Sequence, residues 1–360
     1  MAEVSVAILL PDYGGIGYHA QGTVAGARER GVVVSGVEVA SSTSFLNLVR
    51  TAWRVRELLK IRNVLFVEIG RNEGTTFLTA LLASWMSGKK MNVLSHDGAM
   101  LVRSPGAFVL ARRRRLSKRV AYRLADPLLS RWLRILFQRR VERWYATTEG
   151  ARDEMLAAHL APCFVIVHGL EDPVSTSSPS EGRAIVVPGF LGPNKGTDVA
   201  VDAWLQTTLG DGYFLHVIGN THEGTREWAN RLHEQLINAG RPFQWTVDTA
   251  SDDEFQHAIA NAAMVLVPYR ESNPTSGVVI RAIVEGRCII GSAVPAILSF
   301  VTDGVSGVVI PSADVTRLAN AMVTLAADSQ LRDQYGARLV ELQGHNRRWV
   351  DQFVSIAQHW

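Results

Sequence analysis

Several residue patterns are scarce in this sequence, and their scarcity excludes several classes of protein. Only two cysteines occur among 360 residues, Cys163 and Cys288. Both lie in apolar, strand-like runs, so we expect buried free thiols and no disulfide framework. No apolar run approaches the ~20 residues of a membrane-spanning helix. The amino terminus lacks the basic segment of a signal peptide, so we expect a cytoplasmic protein.

Metal-binding patterns are also missing from the linear sequence. No Asp-x-Asp occurs, and no group of histidine, cysteine and aspartate residues has the spacing of metal ligands. We therefore expect neither a bound metal ion nor another cofactor.

The size and charge of the chain indicate its organisation. A hydrophobic content of 47% with 20% charged residues is typical of globular proteins, and 360 residues predict two domains. The net charge of +3 hides an asymmetry, because the segment Arg103–Arg143 carries +11 and the remainder −8. Such a concentrated basic segment favours an anionic surface as a partner.

Apolar strands alternate with helical segments along both halves of the chain, which predicts parallel βαβ units. The polar stretch 171–182, rich in Ser and Pro, is the best candidate for a linker. We therefore predict an N-terminal domain over 1–172 and a C-terminal domain over 183–345. We also predict that a final helix over about 346–360 packs back on the first domain.

Two stretches of the second half carry the pattern of a phosphate site. The apolar strand Met264–Pro268 leads through a polar loop to Ser276-Gly277 and then to a helix. A helix that begins there would offer unpaired N–H groups and a partial positive charge to an anion. In the other stretch, a Gly/Pro loop after a predicted strand presents Lys195, a suitable partner for a diphosphate. From spacing alone, an exposed loop lysine explains Lys195 equally well.

The two stretches together resemble the retaining, nucleotide-sugar-dependent GT-B glycosyltransferases of family 4, the group 1 type. The resemblance starts with Gly189-Phe-Leu-Gly-Pro-Asn-Lys-Gly196 and resumes about 80 residues later, at Pro268-Tyr269 and Thr275-Ser-Gly-Val278. Further stretches match in order along nearly the whole chain: Gly14-Gly15-Ile16-Gly17, Ser95-His96-Asp97, Ala146–Arg152, His168-Gly169 and Asp303–Pro311.

The resemblance implies an α/β protein of the GT-B fold, with two Rossmann-like, doubly wound domains facing a central cleft. It implies sugar transfer from a UDP- or GDP-sugar to a glycan or lipid-linked hydroxyl, in the synthesis of cell-envelope polysaccharide, glycolipid or glycoconjugate. Lys195 would neutralise the donor diphosphate without a metal, and His96 would lie near the reacting sugar. The residues implied in donor binding are Gly15, Gly17, Lys195, Glu271, Asn273, Thr275, Ser276, Gly277, Val278 and Arg281.

The sequence departs from the family pattern at three positions. Asn273 and Arg281 occupy the places of the paired glutamates that orient the sugar and hold the ribose, and Phe190 replaces a usual arginine. An arginine accepts no hydrogen bonds from ribose hydroxyls. An alternative hypothesis is therefore a catalytically degenerate GT-B subunit, a membrane-associated scaffold or regulator. Arg281 could instead pair with Glu285 on an exposed helix face.

The basic segment has two interpretations. Apolar residues recur every four positions from Leu116 to Leu136, which indicates a basic amphipathic helix and peripheral membrane binding, with Arg112, Arg113, Arg114, Arg115, Lys118 and Arg119 facing anionic lipid. The alternative is a solvated helix pair packed on the sheet. Nucleic acid is not expected as a partner, because stacking aromatics are sparse. His96 likewise has a plain alternative, a structural histidine at a strand end.

Overall fold

The structure, a computed structural model, describes residues 5–11, 14–40, 44–70, 74–96, 135–166, 168–169, 181–209, 212–222, 224–271, 276–344 and 348–360. The chain forms two compact units. The N-terminal unit comprises Met1–Glu171 together with Asn346–Trp360, and the C-terminal unit comprises Asp172–His345.

The N-terminal unit is built on a parallel sheet of six strands in the order β2-β1-β3-β4-β5-β6. The strands are β1 Ser5–Pro11, β2 Val33–Val39, β3 Val64–Ile69, β4 Met91–Ser95, β5 Val141–Ala146 and β6 Cys163–Val165. Apolar side chains dominate β1 and β3, and every residue of β1 is buried. Strands of this kind suit a sheet that is covered by helices on both faces.

Helices of the N-terminal unit lie between these strands and bury two separate apolar clusters, one on each side of the sheet. The helices are Gly14–Glu29, Phe45–Leu58, Gly74–Ser87, Glu149–Ala157 and Trp349–Ala357. The Ser44 and Thr148 side chains cap two of them by accepting backbone N–H groups. Residues 135–140 are also helical.

The final helix, Trp349–Ala357, packs on the first helix of the chain, Gly14–Glu29. A Cβ atom on Gly22 would lie 2.3 Å from the Trp349 ring, and one on Gly26 would lie 2.1 Å from the Trp349 carbonyl oxygen. These glycines are four residues apart and share one helix face. Their lack of side chains therefore permits the close approach of the two helices.

The C-terminal unit is built on a second parallel sheet of six strands in the order β12-β11-β10-β7-β8-β9. Its strands are β7 Ala184–Phe190, β8 Phe214–Asn220, β9 Phe243–Val247, β10 Ala262–Val267, β11 Ile289–Ser292 and β12 Val308–Ile310. Counted within the unit, this is the order 3-2-1-4-5-6 of dinucleotide-binding folds.

Helices also connect the strands of the C-terminal unit. They are Thr197–Gln206, Arg226–Ala239, Asp252–Ala260, Gly277–Val284, Pro295–Leu298, Val315–Ala327 and Ser329–Leu339, the last followed by the π-helical turn Val340–Gly344. The cluster around Trp204, Leu215 and Leu266 forms the core on one side of the sheet. The direction in which successive strands are added to the sheet reverses between β7 and β10, and in the other unit between β1 and β3. Ligands bind at such switch points in open α/β sheets.

Several predictions meet the structure at this level. The predicted GT-B arrangement of two doubly wound units is confirmed, and Cys163 and Cys288 are buried and unpaired. The glycine-rich stretch Gly14–Gly17 forms the first turn of a helix. No helix in the described part of the chain has the length and apolarity needed to cross a bilayer.

Candidate functional site

The turn after β7 carries Lys195. Gly192 enters it with extended backbone, and Pro193–Lys195 form one turn of 3-10 helix that ends at Gly196 in the left-handed conformation, with φ of 66°. A Cβ on Gly196 would lie 1.9 Å from the Pro268 carbonyl oxygen. Glycine at this position therefore allows the β7 turn to touch the end of β10, which places Lys195 at the reversal of the sheet.

Lys195, Tyr269 and Ser276 form a continuous line at this point. The Lys195 ammonium lies 4.0 Å from the centre of the Tyr269 ring, a cation–π distance. The Tyr269 hydroxyl lies 3.1 Å from Ser276 Oγ. Burial raises the pKa of Tyr269 to about 12, although the hydrogen bond with Ser276 opposes the rise. The phenol is therefore neutral near pH 7 and holds the cation and the helix start together.

An ion pair braces the same turn. The Arg270 guanidinium binds both carboxylate oxygens of Asp198 at 2.7 Å and also donates to the Pro193 carbonyl at 2.7 Å. The Asn194 carbonyl accepts the N–H groups of Arg270 and Glu271 at 2.9 and 3.2 Å. Bidentate pairing fixes direction as well as distance. The β7 turn and the chain after β10 are thus linked by both side chains and backbone.

The helix Gly277–Val284 begins beside this line. Ser276 precedes it in extended conformation, and its side chain makes no capping bond to the helix. A Cβ added to Gly277 would meet no atom of the described residues within 4 Å. N–H groups of a first helical turn carry partial positive charge. An ammonium group beside such a turn suits the binding of a diphosphate.

The positions that depart from the family pattern have their own contacts. The Arg281 guanidinium lies 5.4 Å from the centre of the Phe255 ring, and Glu285 is buried and accepts a hydrogen bond of 2.6 Å from Gln256. The prediction of an exposed face at Glu285 is therefore wrong. Phe190 is 43% exposed and stacks on His222 at 4.5 Å.

A second group of polar residues lies at the reversal of the N-terminal sheet. Glu68 on β3 is fully buried, and its Oε2 atom lies 2.5 Å from His19 Nδ1 and 3.3 Å from His96 Nε2. Thr23 donates to the other carboxylate oxygen. Gln352 donates to Thr23 Oγ1 at 2.6 Å. His96, predicted from the sequence, is therefore oriented by a buried carboxylate.

The charges of this second group follow from burial. Burial raises the pKa of Glu68, but the charges and hydrogen bonds of His19 and His96 outweigh it and lower that pKa to about 2. Burial lowers the pKa of His19, and the attraction of Glu68 opposes this only in part. The Glu68 carboxyl is therefore ionised near pH 7.

The remaining predicted residues divide into two sets. Gly15 and Gly17 lie in the first turn of the helix Gly14–Glu29, Glu271 is exposed beside Asn194, and Val278 follows Gly277 in the first turn of the helix Gly277–Val284. The others lie outside the described residues: Asn273, Thr275, Arg112, Arg113, Arg114, Arg115, Lys118 and Arg119.

Sequence reasoning missed Glu68, Tyr269 and Asp198. A signal existed for Glu68, since a glutamate inside the apolar run 64–69 must be paired if that run is a buried strand. A signal also existed for Tyr269, since it directly follows a strand at the predicted ligand-binding edge. No signal in the sequence pointed to Asp198, because its partner Arg270 is distant along the chain.

The fold places the chain in the GT-B class of glycosyltransferase structures. The structure of HepE from Anabaena, crystallised with UDP and glucose, is similar over 98% of both chains, at 16% identity and a TM-score of 0.71. A glycosyltransferase from Rickettsia africae is similar over 100% of this chain and 98% of its own, at 12% identity and a TM-score of 0.69. Sucrose-phosphate synthase from Thermosynechococcus elongatus is similar over 99% and 98%, at 15% identity and a TM-score of 0.69.

A family model matches part of the C-terminal unit. Residues 182–328 match the model described as Glycosyl transferases group 1. The comparison with curated protein sequences gave no match. The predicted enzyme class is thus confirmed at the level of domain and fold.

Proposed function

We propose that the C-terminal unit binds a nucleoside diphosphate sugar, with the diphosphate held between Lys195 and the start of the helix Gly277–Val284. The observation that carries the proposal is the line formed by Lys195, Tyr269 and Ser276, which places the ammonium of the half-buried Lys195 near the start of that helix. HepE of Anabaena has been crystallised with UDP and with UDP-glucose, which favours a UDP-sugar as the first donor to test.

The chemistry proposed is transfer to an acceptor hydroxyl with retention of the anomeric configuration. The bond from the anomeric carbon to the diphosphate oxygen breaks, and the acceptor oxygen bonds to that carbon on the same face. The departing phosphate oxygen receives the acceptor proton. Lys195 and the helix start stabilise the charge that develops on the leaving group. Positioning of the donor and the acceptor supplies much of the remaining rate acceleration. The diphosphate needs no metal ion in this scheme.

We assign the acceptor to the N-terminal unit. His96 is 11% exposed at its side chain and is fixed from behind by Glu68, which suits a group that contacts a sugar hydroxyl. A glycan or lipid-linked acceptor of cell-envelope, glycolipid or glycoconjugate synthesis fits the class of enzyme. The basic segment Arg103–Arg143 would bring a cytoplasmic protein to anionic lipid. Flotation with anionic and with neutral vesicles tests this part, and equal recovery with both would contradict it.

A panel of donors tests the proposed reaction. We expect one of the UDP-, GDP- or ADP-sugars to raise the unfolding temperature, and we expect the released or transferred sugar to keep its anomeric configuration by NMR. An inverted first product would overturn retention without affecting the donor site.

Arg281 favours the second candidate, a degenerate scaffold, because its guanidinium lies by Phe255 where a ribose-binding carboxylate is usual. Absence of stabilisation by every nucleotide in the panel would support that candidate and contradict the enzyme.

A further inference from the structure

Three histidines that are far apart in the sequence meet inside the N-terminal unit. His19 lies on the first helix, His96 follows β4, and His168 lies beyond β6. One ring nitrogen from each lies within 4.8 Å of the other two. The centre of the His19 ring is 4.4 Å from that of His96 and 4.3 Å from that of His168. We call these three residues the histidine cluster.

Each ring of the histidine cluster is oriented by a hydrogen-bonding group behind it. The Nδ1 atom of His19 lies 2.5 Å from Glu68 Oε2, and the Nε2 atom of His96 lies 3.3 Å from the same oxygen. His168 places Nδ1 2.9 Å from the Gly169 carbonyl. Carboxylates and carbonyls in this position fix the tautomer and aim the other nitrogen at a metal ion.

A second layer holds these orienting groups in place. Gln352 on the final helix donates to Thr23 Oγ1 at 2.6 Å and accepts the Gly169 N–H at 2.5 Å. Thr23 donates in turn to Glu68. One amide side chain therefore links the carboxylate behind His19 to the backbone beside His168. A connected arrangement of this kind indicates a preformed site.

The strongest single sign of a ligand is an unpartnered atom. His19 Nε2 is buried and has no hydrogen-bond partner among the described residues, and the His19 residue is only 2% exposed. A buried polar atom without a partner is costly and calls for an explanation such as an ion or water.

The charge of the group points to a cation. Glu68 is completely buried, and in the described part of the chain its ion pairs are with His19 and His96 alone. Among the described residues this buried carboxylate has no lysine or arginine partner, and a buried charge of this kind suits a site for a cation. A divalent ion on the imidazole nitrogens would supply a positive charge beside it.

We propose that His19, His96 and His168 bind one divalent transition-metal ion, with Zn²⁺ as the expected occupant. Three neutral imidazoles suit Zn²⁺, and three protein ligands leave a fourth position for water or another oxygen ligand. Tetrahedral Zn²⁺ bonded to nitrogen at ~2.0–2.1 Å requires ligand atoms about 3.4 Å apart, so the rings need to close by about 1 Å. The partial exposure of His96 offers a route of entry. The site shares His96 with the proposed acceptor contact but no residue with the proposed diphosphate site, so the proposal of Zn²⁺ binding and the proposal of nucleotide binding fail independently.

The first test uses the unmutated full chain after removal of metal with a chelator. We expect one equivalent of Zn²⁺ per chain by calorimetric titration, with weaker binding at acidic pH because protonated imidazoles cannot bind the metal. Co²⁺ should give the visible d–d absorption of a tetrahedral site, and Zn²⁺ should abolish it. The absence of both a Co²⁺ band and a Zn²⁺ equivalent would overturn the proposal, and this result requires no folded variant.

Variants then locate the ion. His168→Gln should abolish the Co²⁺ band, and Glu68→Gln, which keeps the ligands but removes the orienting carboxylate, should weaken Zn²⁺ binding about 10- to 100-fold. His233→Gln is the matched control, because His233 is a half-buried histidine stacked on Trp245 in the other unit. It should leave binding unchanged. Equal Zn²⁺ affinity in folded His168→Gln and wild-type protein, with folding checked by circular dichroism, would also overturn the assignment.

Discussion

Gly196→Ala separates the role of a close backbone contact from the general cost of a left-handed residue. The new Cβ would lie 1.9 Å from the Pro268 carbonyl oxygen, whereas real Cβ contacts keep at least 3.0 Å. The turn that carries Lys195 must therefore move away from β10 by about 1 Å.

The expected loss of stability has two parts. Alanine in the left-handed region costs about 1–2 kcal/mol, and a forced backbone shift adds about 1–3 kcal/mol. For a unit of this size, each kcal/mol lowers the unfolding temperature by roughly 2–4 °C. A displacement of this size in a positioned group also costs about 10²-fold in turnover with the donor.

Gly240→Ala is the matched control. Gly240 has nearly the same φ, 63°, but a Cβ there would meet no atom within 4 Å in the part of the chain that the structure describes. Gly240→Ala should lose only the about 1–2 kcal/mol that alanine costs in the left-handed region. It should keep the nucleotide affinity of the wild type. Calorimetric unfolding and nucleotide titration measure both quantities. Equal affinity for UDP in Gly196→Ala, Gly240→Ala and wild-type protein would refute the argument that this contact positions the site.

Three further predictions concern single contacts. Because the pKa of Glu68 is lowered in the folded state, its contribution to stability is present above pH 4.5 and should be lost as pH falls from there toward about 2; Glu68→Gln should remove this part of the acid dependence in urea unfolding measured across that range. Tyr269→Phe keeps the ring but removes the hydroxyl bonded to Ser276, so we expect a loss of about 0.5–1.5 kcal/mol in denaturant unfolding, and no change would show that the bond contributes nothing. Trp349→Ala empties the space against Gly22 and Gly169, so thermal unfolding should show a loss of about 3 kcal/mol in the N-terminal unit, and a loss confined to the C-terminal unit would be inconsistent with this packing.

The sequence predicted both sheets because the signals for strands and helices are local. Apolar runs such as 64–69 and 262–267 are bounded by turn residues, and a regular alternation of this kind leaves few possible topologies. The first helix was less predictable at its start, because Gly14, Gly15 and Gly17 have low helix propensity. Its structure is decided by packing, in which Gly22 and Gly26 meet the final helix.

The candidate sites were only partly predictable because their contacts are not local. Lys195 follows from a short motif, but its neighbour Tyr269 is set by the pairing of β7 with β10. The histidine cluster joins residues from three separate segments, and no linear spacing relates them. Glu68 completes that group only because β3 lies beside β1 in the sheet.

The most direct test of the central claim is the affinity of UDP for wild-type protein and for Lys195→Met, measured by calorimetric titration. The methionine keeps an unbranched apolar side chain but removes the charge, so we expect binding about 10²-fold weaker, as for the loss of one preorganised donor. Arg231→Met, which removes an exposed charge from the helix Arg226–Ala239, should bind like the wild type. Equal UDP affinity in Lys195→Met and wild-type protein would contradict the assignment of the diphosphate to this site.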